Sequence, residues 1–293
     1  MDIWSEIASR ISKAVGGDWH QATRQPVAGG SINQSFRLSH GGDSWFVKLN
    51  HADRLEMFAA EAEGLQALAA AKAIRVPEPL DWGSYGEQSF LILEYIPLGG
   101  SPDPATFATA LARMHQHKQS QYGWHRNNTI GSTPQDNTQC DDWVTFWRVH
   151  RLEFQLRLAQ QNGAPARLID QGMELAEQSA AFFTRWTPAA SVLHGDLWSG
   201  NWGADDAGKP VIFDPAVYFG DHETDLAMMT LFGHPGRSFF AHYNAVFPID
   251  DGFEQRKTLY NLYHILNHFN LFGGGYAQQA EGMIQQLLAE LSG

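Results

Sequence analysis

HGDLWSGN at residues 194–201, followed by VIFDPA at 211–216, decides how this chain is read. A histidine, an aspartate and an asparagine fall within eight residues, with glycines at 195 and 200 and Trp198 between the two polar side chains. Asp196 and Asn201 stand five apart, the D-x-x-x-x-N spacing in which an aspartate accepts a hydroxyl proton and an asparagine of the same loop holds a metal ion. Such a pair by itself is more often a turn carboxylate and a turn amide. The third member changes the balance. Val211-Ile212-Phe213 is an apolar strand that ends in Asp214, thirteen residues after Asn201, with the turn Ala207-Gly208-Lys209-Pro210 between. A hairpin there returns Asp214 to the side of Asn201. Phosphoryl transfer from ATP needs this trio: Asp196 as base for the acceptor, Asn201 and Asp214 as oxygen ligands for Mg²⁺. His194 reads as a hydrogen-bond donor that orders the loop rather than as a base.

Upstream, Phe46-Val47-Lys48 puts a lysine inside an apolar strand, where an unpaired ammonium is costly and needs a counter-charge. In the alanine-rich helix that follows, a rotation of 100° per residue groups Phe58, Ala62, Leu65 and Ala69 on one face. Glu61 falls on the edge of that face, while Glu56 and Glu63 point away. A strand lysine paired with a helix glutamate is how a kinase-like lobe sets the lysine on ATP phosphates. Gly29-Gly30-Ser31-Ile32-Asn33, between two strands, can offer backbone N–H groups to phosphates, although it is not a G-x-G-x-x-G loop. Glu94-Tyr95-Ile96, at the end of an apolar strand read over 90–96, lies where a hinge between lobes offers its backbone to adenine.

The surrounding chain supports a two-lobed α+β protein. The first hundred residues read as strand, strand, helix, strand, strand after an opening helix, and His40-Gly41-Gly42-Asp43 is a hairpin signal. Pro97-Leu98-Gly99-Gly100-Ser101-Pro102 breaks this pattern, so residues 1–97 form an ATP-binding lobe and 98–293 a mostly helical catalytic and substrate-binding lobe. Helices are expected over 104–117, 141–161, 166–186, 222–231, 254–272 and 276–291, interrupted by a loop at 127–138 and the β-like segment 191–216. Asp141 and Asp142 read first as caps of the aromatic helix that follows, and second as charge that attracts an amine.

Composition removes several classes of function. At 293 residues with 43% apolar content, the chain can bury a large core. Its single cysteine, Cys140, forms no internal disulfide or CxxC site, and the thirteen histidines lack an HExxH spacing. No apolar run approaches bilayer length, and MDIWSEIASRISKAV is an amphipathic start without the features of a secretory signal, so a cytoplasmic protein is expected. Twenty basic against 32 acidic residues give a formal net charge of −12. That field repels nucleic acid and anionic lipid and favours cationic small molecules.

The order GGSIN, FVK, MFAAEAEGL, LILEYI, DDWVTFWRVHRL, HGDLWSGN, IFDPA, DHETDLAM resembles the fructosamine kinase (ketosamine-3-kinase) family over nearly the whole chain. HGDLWSGN is its most specific element, because related small-molecule kinases share H-G-D and the asparagine but usually not the Leu-Trp-Ser-Gly filling. The resemblance implies a protein-kinase-like bilobal fold and ATP with Mg²⁺. It also implies phosphorylation of the sugar 3-hydroxyl of ketoamines, free or protein-bound, after which the product releases the amine. It implies the roles given above for Asp196, Asn201, Asp214, Lys48 and Glu61, and for Asp225 that of a buried brace of the catalytic loop. Trp198 stays open between a ring that stacks on the substrate and a core side chain that pins the loop. Two rival readings stay open as well: a kinase for another amine or alcohol, of aminoglycoside or choline type, and a nucleotide-binding regulator without turnover.

Overall fold

The computed structural model describes residues 2–28, 32–236 and 238–292. The opening amphipathic stretch forms α1 (Ile3–Val15), with the Asp2 side chain accepting from the Ser5 amide as N-cap. A five-stranded antiparallel sheet follows in the order β1-β2-β3-β5-β4. Its strands are β1 (Thr23–Pro26), β2 (Gln34–His40), β3 (Asp43–His51), β4 (Pro79–Tyr85) and β5 (Gln88–Glu94), with α2 (Leu55–Ala70) inserted between β3 and β4. Helices cover both faces. Ile3, Ile7 and Ile11 of α1 pack with Val47, Leu49, Phe90 and Ile92. Phe58, Ala62 and Leu65 of α2 pack with Leu91 and Leu93. Double coverage explains why β5 reads as an unbroken apolar run, and the period of two explains why Lys48, between Val47 and Leu49, faces the α2 side.

Beyond the sheet come α3 (Pro104–His115), β6 (Lys118–Gln119), the hairpin β7 (Asn128–Ile130) and β8 (Thr133–Gln135), α4 (Trp143–Trp147), α5 (Phe154–Gln161) and α6 (Ala166–Gln178). Next are β9 (Ala190–Leu193), β10 (Trp202–Ala204), β11 (Pro210–Ile212), β12 (Tyr218–Gly220), α7 (Glu223–Leu231), α8 (Phe239–Val246), α9 (Phe253–Phe272) and α10 (Tyr276–Ser292). Leu259, Leu262, Leu266 and Phe269 of α9 are buried, as expected of a core helix. The chain passes between the two parts through Leu98-Gly99-Gly100, which pairs with the β10 hairpin: the Gly99 N–H donates to Ala204 O (2.8 Å) and the Ala204 N–H to Gly100 O (2.8 Å).

Several boundaries differ from the sequence reading. The last strand ends at Glu94, so Tyr95 and Ile96 follow it rather than complete it. The segment 127–138 holds the β7–β8 hairpin, and its polar residues are fixed from outside: Gln135 Nε2 donates to Ala216 O (3.0 Å) and Tyr263 Oη to Gln135 Oε1 (2.7 Å). The helix expected over 141–161 starts at Trp143 behind an Asp142 N-cap and passes through a π-helical turn at Arg148–Glu153. Asp141 instead accepts from Gln121 Nε2 (2.9 Å). The helix expected to 186 ends at Gln178 and continues as a 3₁₀ turn to Phe183, and α8 lies outside every helix expected from the sequence.

Candidate active site

Lys48 is a buried charge, 3% exposed. Its Nζ lies 2.6 Å from Glu61 Oε1 and 2.5 Å from Asp214 Oδ1. Burial alone would drive its proton off, but the charges of Asp214 and Glu61 outweigh burial and hold the ammonium above its ordinary range. Glu61 is the one α2 carboxylate that reaches the lysine. Glu63 and Glu56 turn instead to Arg126, at 2.6 and 2.8 Å, and Glu63 also meets His125 at 3.0 Å.

β9 delivers His194 and Gly195 to a carboxylate from the first turn of α7. Asp225 Oδ2 accepts from the His194 N–H (2.7 Å), its Oδ1 from the Gly195 N–H (2.9 Å), and His115 Nε2 lies 3.1 Å from Oδ2. Burial pushes the Asp225 carboxyl up, but the bond from His115, the neighbouring histidines and the Gly195 amide win, and it stays below the usual carboxylate range. Gly195 has φ +82°, and a Cβ there would stand 2.1 Å from Ala216 O, so the turn admits glycine alone. His194 spends both ring nitrogens on the loop: Nε2 donates to Phe213 O (2.9 Å) and Nδ1 accepts from the Asp196 N–H (3.3 Å). Burial lowers its pKa, in keeping with a neutral ring that donates one hydrogen bond and accepts another.

Asp196 follows on this braced turn. Asn201 Nδ2 donates to its carbonyl (2.9 Å) and to Oδ2 (3.2 Å). Burial first, and then the charge of Asp214, push the Asp196 carboxyl up to about 7 against the bond from Asn201. The β10–β11 hairpin pairs Trp202 with Ile212. The Phe213 N–H donates to Asn201 O (3.0 Å), which brings Asp214 beside Asn201 as the thirteen-residue spacing predicted. Asp214 has φ +57°, a left-handed conformation uncommon outside glycine, and its carboxylate is held by Lys48.

Trp198 is 38% exposed and so is not a core side chain. Its ring lies on Gly200, where a Cβ would approach ring atoms to 2.3 Å. One face pins the loop and part of the ring stays open to solvent.

The donor set suits a hard cation. Asn201 engages protein groups through Nδ2 and Asp214 through Oδ1, which leaves Asn201 Oδ1 and Asp214 Oδ2 without hydrogen-bond partners among the described residues. No three His, Cys, Asp or Glu side chains form a cage among those residues. One carboxylate and one amide oxygen fit Mg²⁺, which keeps waters and takes its other ligands from phosphates.

The remaining candidates are placed as follows. Gly29, Gly30 and Ser31 lie outside the described residues. Asn33 Oδ1 accepts from Asn50 Nδ2 (2.8 Å), which ties the end of the glycine-rich segment to β3. The Glu94 side chain is occupied by Arg75 Nη2 (2.6 Å), the Tyr95 ring carries the Arg37 guanidinium 4.4 Å from its centre, and Ile96 is half-buried. Two participants escaped the sequence reading. His115 supports Asp225 from α3, and Arg75 joins Glu94, at the end of β5, to Asp205, which follows β10 (2.6 Å to each). Neither sits in a motif, and each meets its partner only through tertiary folding.

The family model described as "Fructosamine kinase" matches residues 3–290. The chain belongs to the fructosamine kinase family. It is 44% identical over 292 residues to a protein of Synechocystis sp. named a probable ketoamine kinase, covering 97% of each. It is 42% identical over 269 residues to the chloroplastic protein-ribulosamine 3-kinase of Oryza sativa subsp. japonica, covering 90% of this chain and 78% of that protein. A crystal structure assigned provisionally to the fructosamine-3-kinases, from Haemophilus somnus 129PT, superposes with a TM-score of 0.88 at 27% identity, covering 98% of this chain and all of the other. The fold alone extends to an ADP-bound aminoglycoside phosphotransferase, with a TM-score of 0.65 at 11% identity over 98% of this chain and 99% of that one. The bilobal kinase-like fold expected from the family resemblance is thus the one found.

The bonding around Asp225 makes the His194–Asp196 turn depend on one side chain. Asp225→Ala leaves two buried amides and His115 without their acceptor, so thermal unfolding should fall by at least ~5 °C. A melting temperature equal to wild type, measured by calorimetry, would contradict that dependence.

Proposed function

We propose that this protein transfers the γ-phosphoryl group of ATP to a sugar hydroxyl of a ketoamine, the 3-hydroxyl of a fructosamine or ribulosamine. The observation that carries the reading is the placement of the Asp196 carboxyl, held by Asn201 Nδ2 on a turn braced by Asp225, beside the Lys48–Asp214 pair. A base with a proton affinity near neutrality is matched to drawing a proton from a hydroxyl at physiological pH. Membership of the fructosamine kinase family, with relatives named ketoamine kinase and protein-ribulosamine 3-kinase, supports the acceptor class. The readings as a choline or aminoglycoside kinase, or as a regulator without turnover, have no comparable support.

In this scheme residues 1–97 form the nucleotide lobe and 98–293 the acceptor lobe. Lys48, steadied by Glu61, contacts the phosphates, and the glycine-rich segment with the Glu94–Ile96 backbone holds the rest of the nucleotide. Asn201 and Asp214 would hold Mg²⁺, which supplies charge neutralisation at the phosphates. Asp196 accepts the hydroxyl proton as the sugar oxygen bonds to phosphorus and the bond to the ADP oxygen breaks. Asn201 fixes the direction of that carboxylate. The open part of the Trp198 ring takes the C–H face of the sugar. His194 and Asp225 hold the loop and exchange no proton. The proposal extends to a cytoplasmic repair role, in which the 3-phosphorylated product falls apart and frees the amine.

Asp196→Asn should lower kcat by roughly 10² to 10⁴ with ATP affinity nearly unchanged. A carboxyl whose folded pKa lies above its unfolded one costs stability as pH rises from the unfolded value to the folded one, here from the ordinary carboxylate range to about 7. The same variant should therefore melt a few degrees above wild type at pH 8, with the margin shrinking at pH 5. Near-normal turnover, or a variant that melts lower at pH 8, removes Asp196 from this role.

With ATP, fructosyl-lysine and ribulosyl-lysine should give kcat/KM at least ~10-fold above that of the free sugars, because the amine adds charge-assisted contact in an acidic protein. Activity should fall as pH drops below about 7 and the base is protonated. Equal activity on free sugars, or a preference for aminoglycosides or choline, contradicts the ketoamine reading.

A further inference from the structure

The last turns of α9 pack on the segment that follows α7, and that segment lies on the loop that carries Asp196. Ser199, three residues after Asp196, donates through Oγ to Phe232 O at 2.6 Å. A Cβ on Gly233 would stand 2.6 Å from Ser199 Cβ, so the main chain after α7 lies flush on the catalytic loop. The Phe232 ring is 4.7 Å from the ring of His268, which also meets Phe272 at 5.8 Å and Tyr276 at 5.2 Å. On the other side, Leu271 comes within 3.0 Å of the position a Cβ on Gly131 would take, and Ile32, next to the glycine-rich segment, within 3.1 Å. The end of α9 therefore touches the β7–β8 turn through Leu271 and, through His268 and Phe232, the segment that lies on the loop carrying Asp196 and Trp198.

The cluster is built rather than incidental. His268 and Phe272 share a face of α9 at spacing i, i+4. Gly273 and Gly274, both at φ +66°, reverse the chain so that Tyr276, the first residue of α10, returns onto His268. His268 donates from Nδ1 to His264 O (2.8 Å), and burial lowers its pKa, so the ring at the centre is neutral and fixed. Phe272 is 56% exposed and Trp198 38%, two of the five large apolar side chains exposed among the described residues. An aromatic surface of this kind holds carbon, not a second phosphate.

We infer that Phe232, His268, Phe272 and Tyr276 form the subsite for the amine substituent of the ketoamine and select for apolar or aromatic groups a few bonds beyond the nitrogen. This rests on the ketoamine reading above. A ketoamine has two ends, and with its sugar hydroxyl at Asp196 and the phosphates on the Lys48 side, the substituent leaves past Trp198 and Ser199, where the aromatic cluster begins. Substrates with a bare, short amine leave the cluster uncovered, whereas a modified side chain with apolar neighbours, or an arylalkyl amine, covers it.

The test compares two ketoamines of the same sugar, one made from methylamine and one from phenethylamine. Wild type should favour the phenethyl compound in kcat/KM by about 10-fold, the scale of one aromatic contact with its buried area. Phe272→Ala, at a site too exposed to endanger folding, should reduce that ratio to about 2, with the change in KM. Phe272→Leu should fall between. Tyr85→Ala, which removes an exposed aromatic on β4, should keep the wild-type ratio. A wild-type ratio near 1, or a ratio unmoved by Phe272→Ala, overturns the subsite while the ketoamine reading stands. If neither ketoamine is phosphorylated, both readings fall together.

Discussion

A single buried ammonium organises this molecule. Lys48 reaches the interior because β3 alternates, it stays charged because Glu61 and Asp214 flank it, and those partners come from α2 and from the far side of the chain. Removing Lys48 strands the Glu61 carboxylate in a low-dielectric site, which costs far more than an exposed pair would return. The contact therefore fixes the register of α2 on the sheet, the course of the β10–β11 hairpin and the strained backbone of Asp214 at once.

The same contact sets the electrostatics next to it. Glu61 and Asp214 share one lysine, and Asp196 adds a third carboxylate that makes no ion pair among the described residues. Asp196 absorbs the imbalance: burial and the charge of Asp214 raise its proton affinity to about 7, where a weak base becomes useful. An oxygen-only donor set left over at Asn201 and Asp214 matches a divalent cation that would complete the balance. His194 and Asp225 are arranged in the opposite sense, with every hydrogen-bonding atom committed to holding the turn still.

Much of this was legible because it rests on short-range periodicity. Strand parity placed Lys48, helical rotation chose Glu61 over Glu56 and Glu63, and a thirteen-residue spacing around a turn returned Asp214 to Asn201. What escaped depends on distant contacts. The β7–β8 hairpin is too short and polar to announce itself, and exists because Gln135 is held by Ala216 and Tyr263. His115 meets Asp225 across 110 residues with no local signal. Tyr95 and Ile96 look like a continuation of an apolar strand, yet pairing with β4 stops at Pro79–Leu93. The sequence left Trp198 poised between two roles, and Gly200 resolves it by letting the ring lie on its own loop while part of it stays open.

The central claim is that a carboxylate tuned by this lysine clamp directs phosphate to one sugar hydroxyl. Phosphorus–proton correlation NMR of the product formed from ATP and fructosyl-lysine addresses it most directly. The account predicts a single new phosphomonoester coupled to the proton on carbon 3 of the sugar, formed in step with ADP. ADP accompanied only by inorganic phosphate, or phosphate spread over several hydroxyls, would contradict it.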